Sequence, residues 1–280
     1  MLRNNQWRLR AAPCVLLMTG FVALAPVAVH AANVTECTAV SLCYCVSADF
    51  KPAIQEKVDY FRNLIAEQRA KGKAVGYMSI PLSTVGGGYF GVNREVAQSA
   101  KERIEARLGT ASAWVLNPAA KEADLPNVSG ARAGQGEYLL MWTRILEGQK
   151  ALGEDFDFIY FVGPTDFAGF FGLTGKGDMD RIAAYFDERL GKDADMKRAV
   201  ERGTLSAASF RNYYALRASV AFSVGAHDEW NVIRAINARR RDDGKFGVPN
   251  QLPILFDGRA VSSPDFEQAV GGGNAGACKN

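Results

Sequence analysis

The run FDFIYFVG, Phe156 to Gly163, decides the fold. A short, nearly continuous apolar stretch rich in aromatic and β-branched residues is a strand buried on both faces. Upstream, Glu137 to Leu152 reads as a helix with Leu140, Ile145 and Leu146 on its buried side. Before it, SAWVLN (Ser112 to Asn117, stopped by Pro118) and AVGYMSI (Ala74 to Ile80, between Gly72 and Pro81) read as strands, with a helical pattern from Val92 to Leu108 between them. Ile54, Val58, Phe61, Leu64 and Ile65 recur at helical spacing and place an amphipathic helix over Asp49 to Lys71. Downstream, from Pro164 to Ala221, the alternation stops and only helix-like pieces appear, including Met179 to Leu190 and Ser209 to Val220. It resumes with a helix through Glu229 to Arg241 and the strand LPILFDG, Leu252 to Gly258. Alternating strands and helices predict an α/β fold with a parallel sheet covered on both faces and ligands at the carboxyl ends of the strands. The helical stretch, about residues 166–221, is predicted to be an insertion.

Residues 1–31 read as an export signal: Arg3, Arg8 and Arg10 precede the apolar run VLLMTGFVALAPVAV, and Val29-His30-Ala31 forms a small-residue exit. The run is 15 residues long and contains Pro26, short of the roughly 20 apolar residues that span a bilayer. The expectation is a periplasmic or secreted protein with no membrane attachment once the signal is removed. Cleavage removes three basic residues and no acids, so 33 minus 3 leaves 30 Lys and Arg against 30 Asp and Glu. A nucleic-acid-binding role is not supported by that balance. Cys37, Cys43, Cys45 and Cys278 remain, which in an exported chain predicts two disulfides, with three connectivities open. Cys278 must pair with the N-terminal segment, residues 32–72, because the other three all lie there. Residues 73–280 carry the alternating pattern.

FSVGAHDEWNVIRAIN, Phe222 to Asn237, gathers the candidate chemistry. AFSVG nearly matches a serine-hydrolase nucleophile elbow, but His227 is the sole histidine after the signal and lies only four residues past Ser223. One histidine and no clustered cysteines cannot supply the usual metal ligands, so neither metal nor cofactor is expected. TGKG, Thr174 to Gly177, lacks the glycine and the Ser or Thr of a phosphate loop. Glu229, in the opening turns of a helix, is expected to be held ionised by the helix dipole and free amides. A positioned carboxylate of that kind can attack an anomeric carbon. The plain alternative is that Ser223 caps the helix while Asp228 and Glu229 complement its dipole.

Taken in order, YMSIP at the first strand, WVLNPA at the second, EYLLMWTRIL on the next helix, DFIYFVGP at the third strand and the S-x-G-A-x-x-E pattern from Ser223 to Glu229 resemble the nucleoside 2-deoxyribosyltransferase-like superfamily. That group includes deoxyribosyltransferases and deoxynucleoside-monophosphate N-glycosidases, and the resemblance covers Ala74 to about Phe256. It implies a flavodoxin-like, doubly wound three-layer α/β/α fold that cleaves or transfers the N-glycosidic bond of a nucleoside, nucleotide or NAD-like compound. By the same resemblance Glu229 is the nucleophile that attacks C1′, Ser223 contacts the sugar or orients the glutamate, and Tyr77 and Ser79 on the first strand bind near it. The loop Ser83 to Gly91, with Gly86, Gly87 and Gly88, leading to Arg94, occupies the place where phosphate-binding relatives cradle a 5′-phosphate; its alternative is an ordinary loop. Members of the superfamily often complete their sites from a neighbouring subunit, which implies a homo-oligomer.

Two departures stand out. The helix position that holds an aspartate in deoxyribosyltransferases falls at Trp142 or Thr143, leaving Asp166 either to replace that acid or to cap a turn. The insertion is expected directly over the pocket, either as a lid carrying Phe210, Tyr213, Tyr214 and Arg217 or as a plug; at helical spacing the same aromatics also read as core. A secreted binding domain that has lost catalysis is therefore the second expectation.

Overall fold

The chain enters through a hairpin, β1 (Asn33–Cys37) and β2 (Cys43–Ser47), and runs on through α1 (Lys51–Ala70), β3 (Ala74–Ser79), α2 (Phe90–Leu108), β4 (Ala113–Leu116), α3 (Gln135–Glu147) and β5 (Phe158–Phe161). There follow α4 (Pro164–Phe171), α5 (Asp178–Lys192), α6 (Ala194–Glu201) and α7 (Ala207–Ala215), then α8 (Val224–Asp242), β6 (Ile254–Phe256), β7 (Arg259–Ala260) and α9 (Ser263–Glu267). The structure, a computed structural model, describes residues 32–82, 84–215, 223–243, 250–271 and 276–279. The expected export signal, Ser83 and Arg217 lie outside the described residues.

The main sheet has the order β4-β3-β5-β6-β7, parallel except for β7, which returns antiparallel along β6. Strand β3 has β4 on one side and β5 on the other, so the chain reverses direction across the sheet beside it. In doubly wound sheets a crevice opens at that point. Side chains alternate along each strand: Val75, Tyr77, Ile159 and Phe161 enter one apolar cluster with α1, α3 and α8. Met78, Phe158 and Tyr160 enter a second cluster with α2 and the α4–α7 segment. The result is the three-layer, flavodoxin-like arrangement.

The insertion belongs to the second cluster. Phe210 and Tyr214 are fully buried there, and the Tyr214 hydroxyl accepts from Tyr89 N at 3.0 Å and donates to Asn93 Oδ1 at 2.7 Å, tying α7 to α2. Phe210 and Tyr214 thus follow the core reading, on the face of the sheet opposite α3 and α8, and not the lid reading. Gly87 sits at a positive φ of 112°, and a Cβ there would lie 2.3 Å from the Ser209 carbonyl oxygen, so the Gly86–Gly88 loop docks against α7.

The N-terminal hairpin shares the first cluster through Tyr44 and Val46. It is pinned to α3 by a 2.6 Å bond between the Tyr44 hydroxyl and Thr143 Oγ1, by Ser47 N donating to Glu137 Oε1 at 2.8 Å, and by Val40 N donating to Glu147 Oε2 at 3.0 Å. The disulfides are Cys37–Cys43, across the hairpin, and Cys45–Cys278, which joins it to the C-terminal tail. A Cβ at Gly136 would fall 2.1 Å from the Cys45 carbonyl oxygen, so glycine alone lets the first turn of α3 touch β2. Gly136→Ala is expected to cost about 1–3 kcal/mol, read as a lower melting temperature; an unchanged melting temperature would contradict this packing.

Candidate active site

At the carboxyl ends of β3 and β4 a pocket of about 510 Å³ opens between the two strands, α3 and the start of α8. Ile80, Leu82, Pro118 and Ala119 form its strand side, Gln135, Tyr138, Leu139 and Trp142 project from α3, and Ser223, Val224, Gly225 and Glu229 close it from α8. Gln135, Tyr138 and Trp142 recur at three and four residues and therefore share one helix face. Trp142 is braced behind the wall, its ring 5.2 Å from Phe61 and 5.8 Å from Tyr77.

Glu229 is 9% exposed, and one carboxylate oxygen accepts from the Tyr77 hydroxyl while the other accepts from Ser79 Oγ. The period of two along β3 explains the pair: Tyr77 and Ser79 point to the same face, toward α8. Burial pushes the Glu229 carboxyl up to about 7; the Ser79 and Tyr77 hydroxyls pull it down by bonding the ionised form, and neighbouring Asp228 pushes it up again. The helix-dipole expectation is thus corrected. The partners of Glu229 are strand hydroxyls rather than helix amides, and loss of water outweighs the local charge effects. Burial and the adjacent Glu229 charge hold the Tyr77 phenol well above its ordinary range, so Tyr77 remains a donor.

Ser223 caps α8, its Oγ accepting from Ala226 N at 3.2 Å, and also lines the pocket. His227 Nδ1 meets the Gly271 carbonyl instead of Ser223 Oγ, so the two are not brought together as nucleophile and base. Asp166 is not brought to Glu229. It lies on the opposite face of the sheet, where it caps α4 through Gly163 N at 3.0 Å and binds the Tyr160 hydroxyl and Arg103. There it lines a separate pocket of about 630 Å³. Gly86, Gly87 and Gly88 do not line the Glu229 pocket; Gly87 N bonds the Thr84 carbonyl and Tyr89 N bonds Tyr214, so those amides are engaged. Arg94 lies behind the rim, paired with Asp124 at 3.3 Å and stacked over Phe90 at 5.5 Å.

Sequence reasoning did not single out Asp124, Gln135, Tyr138 or Phe90 as wall residues; the i, i+3, i+7 spacing of Gln135, Tyr138 and Trp142 was the signal available. Among the described residues no group of three or more His, Cys, Asp or Glu side chains converges on a metal-sized site. No helix among them is long and apolar enough to cross a membrane. Comparison of the chain with protein-family models, with characterised proteins and with solved structures gave no match.

Proposed function

We propose that the protein is an exported N-glycoside hydrolase or transferase acting on a nucleoside-like small molecule, with Glu229 as nucleophile. The observation that carries this reading is the Glu229 carboxylate, gripped by Tyr77 and Ser79 at the carboxyl end of a central strand and facing an otherwise mostly apolar pocket. Attack of a Glu229 oxygen on C1′ breaks the C–N bond, and its electron pair leaves with the base. Water or a second base then attacks C1′, releasing the sugar and restoring the carboxylate. Tyr77 and Ser79 fix the direction of attack, and the apolar wall limits the access of water to the glycosyl ester. Export is supported by the leader sequence and by two disulfides, which persist in oxidising compartments.

The test is base release, followed by chromatography, from a panel of nucleosides, nucleotides and NAD. No release from any of them, with Glu229→Gln indistinguishable from wild type, overturns the reading. A nucleophile must be ionised, so kcat/KM is expected to rise with pH and level off above about 7. Tyr77→Phe removes a donor that favours the ionised form. It is expected to move that midpoint upward and to lower the rate near neutral pH by about 10–100-fold, the loss of one hydrogen bond to a charged group. A profile that instead falls above the midpoint would make Glu229 a general acid.

A further inference from the structure

A neutral purine or pyrimidine leaves a sugar as an anion unless an acid protonates it, so its cleavage calls for a proton donor beside the base. Besides Glu229 and the ion-paired Asp124, the described lining holds no carboxylic acid for that, only the weakly acidic Tyr138 phenol. Trp142 stands on the wall, Asp166 is on the other face of the sheet, and Asp124 is half exposed and ion-paired with Arg94. Among the described residues that line the pocket there is also no lysine, arginine or histidine. The wall includes the rings of Phe90, Tyr138 and Trp142 together with the carboxylates of Glu229 and of Asp124, the latter shared with Arg94. Aromatic faces and carboxylates attract cations and repel phosphate. Behind the rim one cation is already held in that manner, since the Arg94 guanidinium lies over Phe90 and against Asp124.

We infer that the substrate is an unphosphorylated N-glycoside whose leaving group is already cationic, a pyridinium or N-alkylated base. This rests on the reading of Glu229 as nucleophile. A Glu229 oxygen forms the bond to C1′, the C–N bond breaks, and its electron pair neutralises the ring nitrogen, so the aglycone departs uncharged without a proton donor. Water then attacks C1′, its second hydrogen is lost as a proton to solvent, and the carboxylate is regenerated. Each hydrolytic turnover therefore releases one proton, whereas hydrolysis of a neutral nucleoside releases none.

The experiment uses the full chain without its leader on three probes, each as ribosyl and 2-deoxyribosyl forms: the nicotinamide N-glycoside, its 5′-phosphate, and neutral purine and pyrimidine nucleosides. The expected result is a kcat/KM for the nicotinamide glycoside about 100-fold or more above the neutral nucleosides, the lower end of what a general acid contributes. One proton should appear in a pH-indicator assay per base released, and the 5′-phosphate should react about 10-fold more slowly. Asp124→Asn, at an exposed position, is expected to narrow the preference for the cation several-fold. Neutral nucleosides cleaved as fast as the pyridinium glycoside, a preferred 5′-phosphate, or a preference untouched by Asp124→Asn would each overturn the inference while leaving Glu229 as nucleophile. Absence of cleavage of every probe would overturn both.

Discussion

Replacing Glu229 by glutamine should eliminate base release and, at about pH 8, make the protein more stable. On the proposed mechanism, loss of the Glu229 carboxylate removes the covalent route, and residual turnover should fall to the level of the uncatalysed reaction or a small remnant of it. Stability follows from the shifted carboxyl. Its folded value is raised to about 7 from an ordinary 4.5, so the folded state binds a proton more tightly than the unfolded state. The neutral form is favoured fully below about 4.5, and that advantage is lost as pH rises through about 7. Above that window the protein keeps a desolvated charge at a cost on the order of 3 kcal/mol. Glutamine retains the shape and can still accept from Tyr77 or Ser79 without the charge. Its melting temperature should therefore exceed that of wild type by several degrees at about pH 8, roughly 2–4 °C per kcal/mol in a chain of this size, and the difference should shrink toward about pH 5. Thermal unfolding of both proteins across that range measures it; a constant difference, or a less stable variant at high pH, would contradict the burial argument.

The second large effect is expected at the Cys45–Cys278 disulfide. It closes a loop spanning 233 residues, and removing a cross-link of that length costs about 2–5 kcal/mol. The tail it anchors runs along the helix that carries Glu229. Trp230 Nε1 donates to the Gln268 carbonyl at 3.1 Å, Asn231 exchanges bonds with Val270, and His227 meets the Gly271 carbonyl. On the hairpin side, Cys278 N donates to Thr35 Oγ1 at 3.0 Å. These contacts flank Glu229 on both sides along α8. A Cys45→Ala, Cys278→Ala double variant should melt about 5–15 °C below wild type, and base release should fail at a correspondingly lower temperature. A melting temperature within error of wild type would show that the tail holds without its staple.

The parallel core was legible because its strands are buried on both faces. Phe158–Phe161 and Ala74–Ser79 are apolar runs that only a covered sheet accommodates, and the helices between them carry a clear buried stripe. The hairpin at Asn33–Ser47 gives no strand signal in the sequence, because each arm has five residues and its exposed face is made of cysteines and polar side chains. Helical spacing identified Phe210 and Tyr214 as an apolar stripe but could not say which side of the sheet they cover, and the lid expectation failed there. The S-x-G-A-x-x-E pattern pointed to Glu229, but not to the burial that raises its carboxyl to about 7. Its place on α8 spoke for an ionised group, whereas the two hydroxyls and the burial come from β3, some 150 residues away in sequence. Pairwise contact at that separation is a property of the sheet, not of any local pattern. The same holds for Asp166, whose position after the third strand suggested a site acid; the alternation along β5 sends its partner Tyr160 to the opposite face.

If Glu229 is the nucleophile proposed above, its carboxylate bonds to the sugar during turnover. A nucleoside analogue with fluorine at the 2-position of its sugar slows hydrolysis of a glycosyl ester by disfavouring the oxocarbenium-like transition state. After incubation with such an analogue, mass spectrometry of the digested protein should find one added glycosyl group on the peptide containing Glu229, and none in Glu229→Gln. Base release from the analogue with no adduct, or an adduct on Asp124 or another residue, would contradict a nucleophilic Glu229.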